Sequence, residues 1–300
     1  MTRALAVRVA LPLRAVNAIL SDAAPLNSAE SLVSGFVQLD LFGERPDFVA
    51  PSQSASLRRP SPERLSDEEL IAAIPDASLA EACALAAEVG RRRVSAAVPA
   101  LAALCIRFVG YGADVKMPEQ AVALEALGVI GGSEAYRVVV RLIVTGVVQG
   151  PTLVVAVTVA SRLGVIFPTD TALALLRHPD PLVRAPACSC VRAAHEIIAT
   201  LIAMLGDRDG DVAIAAACAL GRMGRAEACS PLKRCLIERP STRVVEALAG
   251  VADDEAIVFL ARVGRTRHEL ASQIISALAE IDDARASAAA SGLKKFLGMG

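Results

Sequence analysis

Residues 172–224 hold two copies of one supersecondary unit placed end to end, and this duplication limits the possible folds more than any other feature of the chain. The first copy reads Leu175-Leu176-Arg177-His178-Pro179-Asp180-Pro181-Leu182-Val183-Arg184 and continues from Ala185 to Ala194. The second reads Met204-Leu205-Gly206-Asp207-Arg208-Asp209-Gly210-Asp211-Val212 and continues from Ala213 to Gly221. Asp180 and Asp209 stand 29 residues apart. In each copy an apolar helix runs into an Asp/Pro/Gly turn. A second helix then starts through a capping aspartate, with Pro181 or Gly210 directly after it, as helix starts favour. The unit is a helical hairpin.

A phrase after the second helices extends the pattern. Ala219-Leu220-Gly221, Gly224 and Glu227-Ala228 match Ala126-Leu127-Gly128, Gly131 and Glu134-Ala135, with weaker echoes at Ala247-Leu248, Glu255-Ala256 and Ala277-Leu278. The register residues Leu127, Leu163, Val191, Leu220, Leu248 and Leu278 are spaced by 36, 28, 29, 28 and 30 residues, and an earlier apparent copy is centred on Leu85. A period of that size defines a solenoid, in which each hairpin buries its apolar faces against its neighbours. Small residues such as Ala216, Ala217, Cys218 and Ala219 allow the close helix approach this needs.

From about Leu79 to Ala290 the chain resembles the HEAT-repeat family, in its short, alanine-rich bacterial form, whose phrase is shared with the bilin-lyase HEAT-like proteins. The resemblance implies an all-α, right-handed superhelix of about six or seven hairpins. The expected organisation is an N-terminal arm at residues 1–42, a flexible Pro/Ser-rich linker at 43–64 and a HEAT-repeat solenoid at 65–300.

Composition agrees with thin helical layers: 54% of residues are hydrophobic but only 3% aromatic. A net charge of −1 supplies no global drive toward nucleic acid or an acidic membrane, so any such binding must come from a local patch. The seven cysteines are scattered, lack a C-x-x-C, and fit small hydrophobes in a reducing cytoplasm. With only His178, His195 and His268 available, no metal or other cofactor is expected. The apolar start, Met1 to Leu20, carries Arg3, Arg8 and Arg14 and has no uncharged run long enough for a signal-peptide core. It reads as an element packed on the first repeats.

Residues 142–161 are uncharged over a membrane-spanning length, yet Gly146, Gln149, Gly150 and Pro151 split them into two short helices with a long turn between. A second insertion, around Gly110-Tyr111-Gly112-Ala113-Asp114, is expected to project as a loop.

Immediately before the linker stands Gln38-Leu39-Asp40-Leu41-Phe42, which resembles the bacterial sliding-clamp-binding pentapeptide at all five positions. That resemblance implies a partner role in which Gln38 offers its amide at a pocket rim, Leu41 and Phe42 fill an apolar cleft, and Leu39 covers the edge. The other reading is structural, with Phe36, Leu39, Leu41 and Phe42 packing on the solenoid. A third is docking on a different peptide-binding partner, and all three stand at this level.

Catalytic constellations are scarce. His195-Glu196 is a single pair where HEAT-repeat iron hydroxylases need several, and no tryptophan exists for the base pocket of HEAT-repeat glycosylases. Two arginine groups, Arg91, Arg92, Arg93 and Arg262, Arg265, Arg267, are candidate phosphate contacts provided that they face one groove. The expected function is a non-catalytic cytoplasmic scaffold that offers its concave face to a protein partner, with the bacterial sliding clamp as a candidate partner for the arm. A DNA-binding or DNA-repair HEAT protein and a lyase-type enzyme are the alternatives.

Overall fold

The helices begin and end where local chemistry dictates. In the computed structural model, which describes residues 61–107 and 113–298, the chain opens with a 3-10 turn at Pro62–Arg64. It continues through α1 (Asp67–Ala73), α2 (Leu79–Arg92), α3 (Val98–Ile106), α4 (Pro118–Ile130) and α5 (Gly132–Val144). Next come α6 (Gly150–Arg162), α7 (Thr169–Leu176), α8 (Pro181–Ala187), α9 (His195–Met204) and α10 (Gly210–Arg222). The series closes with α11 (Cys229–Glu238), α12 (Thr242–Val251), α13 (Asp254–Thr266), α14 (His268–Ala279) and α15 (Ala284–Phe296). The arm at 1–42 with its pentapeptide, the 43–60 part of the linker and residues 108–112 of the insertion lie outside the described residues.

Ser66 and Ser78 start α1 and α2 through capping boxes with Glu69 and Glu81, while Asp180, Asp209, Ser241, Asp253 and Asp283 each accept from a first-turn amide. These caps satisfy orphan N–H groups at the hairpin turns. The proposed break inside residues 142–161 is present: α5 stops at Val144, Gly146 takes φ 68°, and α6 restarts at Gly150 with Pro151 in its first turn. No helix among the described residues is long and apolar enough to cross a membrane.

Two layers result. The even-numbered helices stack in succession, each on the next, and the odd-numbered helices flank them as a second row. The described residues form an all-α solenoid of helical hairpins. Its core runs continuously between the rows, with Leu101, Leu124, Leu127, Leu176, Leu201, Leu220 and Leu232 sealed from solvent. Each such leucine contributes about 1.5–3 kcal/mol of burial.

Side chains tie each hairpin to the next. Arg184 holds Asp207 through two bonds of 3.0 and 2.9 Å and also donates to the carbonyls of His178 and Pro179. Burial works to raise the Asp207 carboxyl's pKa, but the Arg184 guanidinium and the Asp209 amide outweigh it and leave the value lowered. Arg239 reaches Asp211 at 2.7 Å, Arg285 pairs with Asp254, and Arg267 donates to the Ile237 carbonyl at 3.1 Å.

The register expectation holds for Leu127, Leu220, Leu248 and Leu278, all fully or almost fully buried in even-numbered helices. It fails at Leu163. The helix-ending bonds Val165 N to Ala160 O (2.9 Å) and Gly164 N to Ser161 O (3.2 Å) repeat those of Arg225 N to Leu220 O (3.0 Å) and Gly224 N to Gly221 O (2.9 Å). Ala160 is therefore the equivalent of Leu220, and Leu163 is a half-buried cap beyond the helix. The long step across this region is thus 33 residues from Leu127 to Ala160, not 36. Val191 is buried, as expected, but lies outside any helix because α8 ends at Ala187.

Candidate protein-interaction surface

The early end of α8 shapes the surface beside it. Pro186 sits inside the helix and has no N–H to give the Leu182 carbonyl, so the helical ladder is already broken there. Residues 188–194 then run irregularly. Their polar groups find other partners: the Cys190 carbonyl accepts from Phe167 N at 2.9 Å, and the Cys188 and Cys190 thiols donate back to the carbonyls of Arg184 and Pro186 at 3.4 and 3.6 Å.

Two arginines from the following even-numbered helices converge on this segment. Arg222, the last residue of α10, donates Nη2 to the Cys188 carbonyl at 3.4 Å, and Arg243 of α12 donates Nη2 to Ser189 Oγ at 2.7 Å. Their helices cross closely enough that a Cβ on Gly221 would lie 2.3 Å from the Ala247 carbonyl oxygen and one on Gly250 would lie 2.7 Å from the Gly221 carbonyl oxygen. Burial lowers the pKa of Arg222, and the charge of Arg243 lowers it further. Burial pushes the Cys188 and Cys190 thiols up to about 12, so both are neutral near pH 7.

Beyond Arg243 the same face continues as a shallow groove of roughly 600 Å³ between α12 and α14, walled by Thr242, Glu246, Ser272 and Ser276 and closed by Glu280 and Asp282. Its lining mixes polar side chains with Ala249, Ala252, Ala277 and Ile281, and it lies open to solvent.

The expected arginine contacts fall elsewhere. Arg91 and Arg92 both grip Glu88, at 2.6 Å in each case, and the two guanidiniums hold its carboxyl at a pKa of about 2. Arg92 also donates to the carbonyls of Pro62, Glu63 and Leu65, fastening the opening turn to α2. Arg93 caps α2 in the left-handed region at φ 57°. Arg262 stacks over Phe259 and Arg265 over Phe296, both from α13. Arg267 follows that helix, so the two arginine groups belong to opposite layers and share no groove. His195 and Glu196 open α9 on an odd-numbered helix, and among the described residues no three His, Cys, Asp or Glu converge as a metal site. Gln38, Leu39, Asp40, Leu41 and Phe42 lie outside the described residues.

Arg222 and Arg243 carry no motif, and 21 residues separate them. Nothing in the sequence pairs them: Arg222 closes α10 and Arg243 opens α12, and the two meet only once the helices pack.

The architecture is that of an α-solenoid whose even-numbered row presents one free face. Residues 169–249 match the model of the family described as HEAT repeats. Among solved structures, that of YibA from E. coli is similar, with a TM-score of 0.34 and 15% sequence identity over 85% of this chain and 100% of that one. No curated protein matches the sequence.

Proposed function

We propose that the chain is a non-catalytic interaction scaffold of the short bacterial HEAT type, and that the free face of its even-numbered layer receives a protein partner. The observation that carries this reading is the shallow, open groove of mixed polar and apolar lining between α12 and α14, beside the arginine pair Arg222 and Arg243 that meets residues 188–189. A mixed-sign face of short side chains suits a folded or extended protein surface better than a small-molecule cavity, which is usually concave and largely apolar. Photo-crosslinking tests it. A benzophenone amino acid at Ser272 or Ser276 should give protein adducts in cells, whereas the same group at Val258, exposed on α13 of the other layer, should give none above background. Equal yields from the two layers would sink the reading.

The sequence adds a second contact. We infer that Gln38–Phe42 docks on the bacterial sliding clamp, placing the scaffold in the cytoplasm at replicating or repaired DNA; support comes from the five-position pentapeptide match. An extended peptide that orders on binding gives micromolar affinity, on the order of −8 kcal/mol. Titration of the full chain with purified clamp should show this. Replacing Leu41 and Phe42 by alanine should remove binding without altering thermal unfolding of the repeats.

A further inference from the structure

We propose that Arg222, Arg243 and the Ser189 hydroxyl form a seat for a carboxylate side chain from an acidic segment of the protein partner. The inference rests on the scaffold reading and names the chemistry of its occupant.

The first ground is convergence. Guanidiniums from two helices meet two consecutive residues, Arg222 at the Cys188 carbonyl and Arg243 at the Ser189 hydroxyl, yet each spends a single donor there, and the Arg222 bond at 3.4 Å is long. A guanidinium carries five N–H donors in a fixed fork that matches the two oxygens of a carboxylate. Most of that capacity is unspent.

The second ground is charge. Arg184, Arg225, Arg239 and Arg285 each have an internal carboxylate, but no described carboxylate lies within ion-pair distance of Arg222 or Arg243. The adjacent thiols are protonated and cannot serve as counterions. Two like charges held side by side against a partly dry surface are costly, and an anion bridging them relieves both the repulsion and the unmet hydrogen bonding.

The third ground decides between kinds of anion. Along the same face the next groove presents Glu246, Glu280 and Asp282. A polyphosphate chain leaving the arginine seat would run into those carboxylates. A protein segment can place an acidic residue at the seat and a basic or neutral one over the groove, and the net charge of −1 gives a nucleic acid no compensating attraction.

The local fold explains why the seat exists here. Were α8 to continue, the Cys188 carbonyl would be spent on its own helix; the early stop leaves it and Ser189 open to the two arginines.

Fluorescence anisotropy with the full chain at low salt tests the seat, using fluorescein-labelled hexaglutamate as probe and a labelled oligothymidylate of equal charge beside it. Hexaglutamate should bind, and the double variant Arg222→Gln, Arg243→Gln should weaken it tenfold or more. Arg162→Gln, at an exposed arginine ending α6, should leave affinity unchanged. If the double variant melts early in circular dichroism, the single change Arg243→Gln, at an exposed side chain, carries the test with an expected loss of threefold or more. Undiminished binding by the folded variant, no hexaglutamate binding at millimolar protein, or tighter binding of the oligothymidylate would each overturn the proposal. Crosslinks from Ser272 that survive alongside undiminished hexaglutamate binding would remove the seat and keep the scaffold. Arginine-dependent hexaglutamate binding without crosslinks would do the reverse.

Discussion

The α7–α8 and α9–α10 hairpins come from nearly the same phrase, 29 residues apart, yet α8 has 7 residues and α10 has 13. Position by position, Asp180 answers to Asp209, Val183 to Val212, Ala187 to Ala216 and Val191 to Leu220. The divergence begins with Pro186, which stands where α10 has Ala215, and is completed by Arg192, which stands where α10 has Gly221. Gly221 meets the Ala247 carbonyl so closely that no side chain fits. A helical Arg192 would drive its side chain at the equivalent backbone of α10. By leaving the helix, the chain exposes Arg192 instead and keeps Val191 buried by another route. A repeat thus tolerates two substitutions that forbid its second helix, because the hairpins on either side still supply the apolar surface it packs on.

The largest expected effect separates the two register residues. Leu220→Ala should cost about 2–5 kcal/mol, since the side chain is sealed within two packed helices. Val191→Ala, at the less enclosed position, should cost about 1–2 kcal/mol. Urea unfolding of both variants checks the order, and a reversed order breaks the equivalence drawn here.

Next comes the glycine. Gly221→Ala should cost about 1–3 kcal/mol through overpacking against Ala247, while Arg192→Ala should stay within about 0.5 kcal/mol. The caps differ by less. Asp209 accepts from both Asp211 N and Val212 N, Asp180 from Leu182 N alone, so Asp209→Ala should cost about 1–2 kcal/mol and Asp180→Ala about half of that. Thermal unfolding of the pair gives the comparison directly.

A sharper version exchanges the divergent residues themselves. Pro186→Ala alone should leave amide exchange at 191–193 fast, because Arg192 still forbids the helix. The double change Pro186→Ala, Arg192→Gly should slow it by tenfold or more. Slow exchange in the single variant would assign the break to proline alone.

The smallest effect belongs to the N-terminal hairpin. With its folded pKa at about 2, against about 4.3 in an unfolded chain, the Glu88 carboxylate contributes stability that is fully present above pH 4.3 and is lost as pH falls toward 2. An acid titration followed by circular dichroism should show this limb. In Glu88→Gln it should be missing.

Much of this was readable in the chain. The hairpin turns announce themselves through Asp180-Pro181 and Asp209-Gly210, and the break at Gly146 to Pro151 through its residue types, because capping and turn chemistry are local. The register at Leu163 misled for a physical reason. Leu163-Gly164 copies the letters of Leu220-Gly221, but Gly164 at φ 67° plays the part of Gly224 at φ 69°, so the same dipeptide occurs in two registers. The arginine seat was not readable. It depends on which carbonyls a missing half-helix leaves unpaired, and that is decided in three dimensions. The described arginines flagged from their clustering are, in contrast, mostly engaged in joining helices or stacking on rings.

The glycine crossing of α10 and α12 has a mechanical consequence. Two helices touching backbone to backbone have no flexible side chains between them to absorb a displacement, so that joint is stiff. One step back, the segment after α8 is held by isolated bonds such as Phe167 N to Cys190 O. Pulled from its ends, the stack should yield first at this soft coil, and a partner seated across residues 188–189 would act as a splint over the weakest turn of the spring.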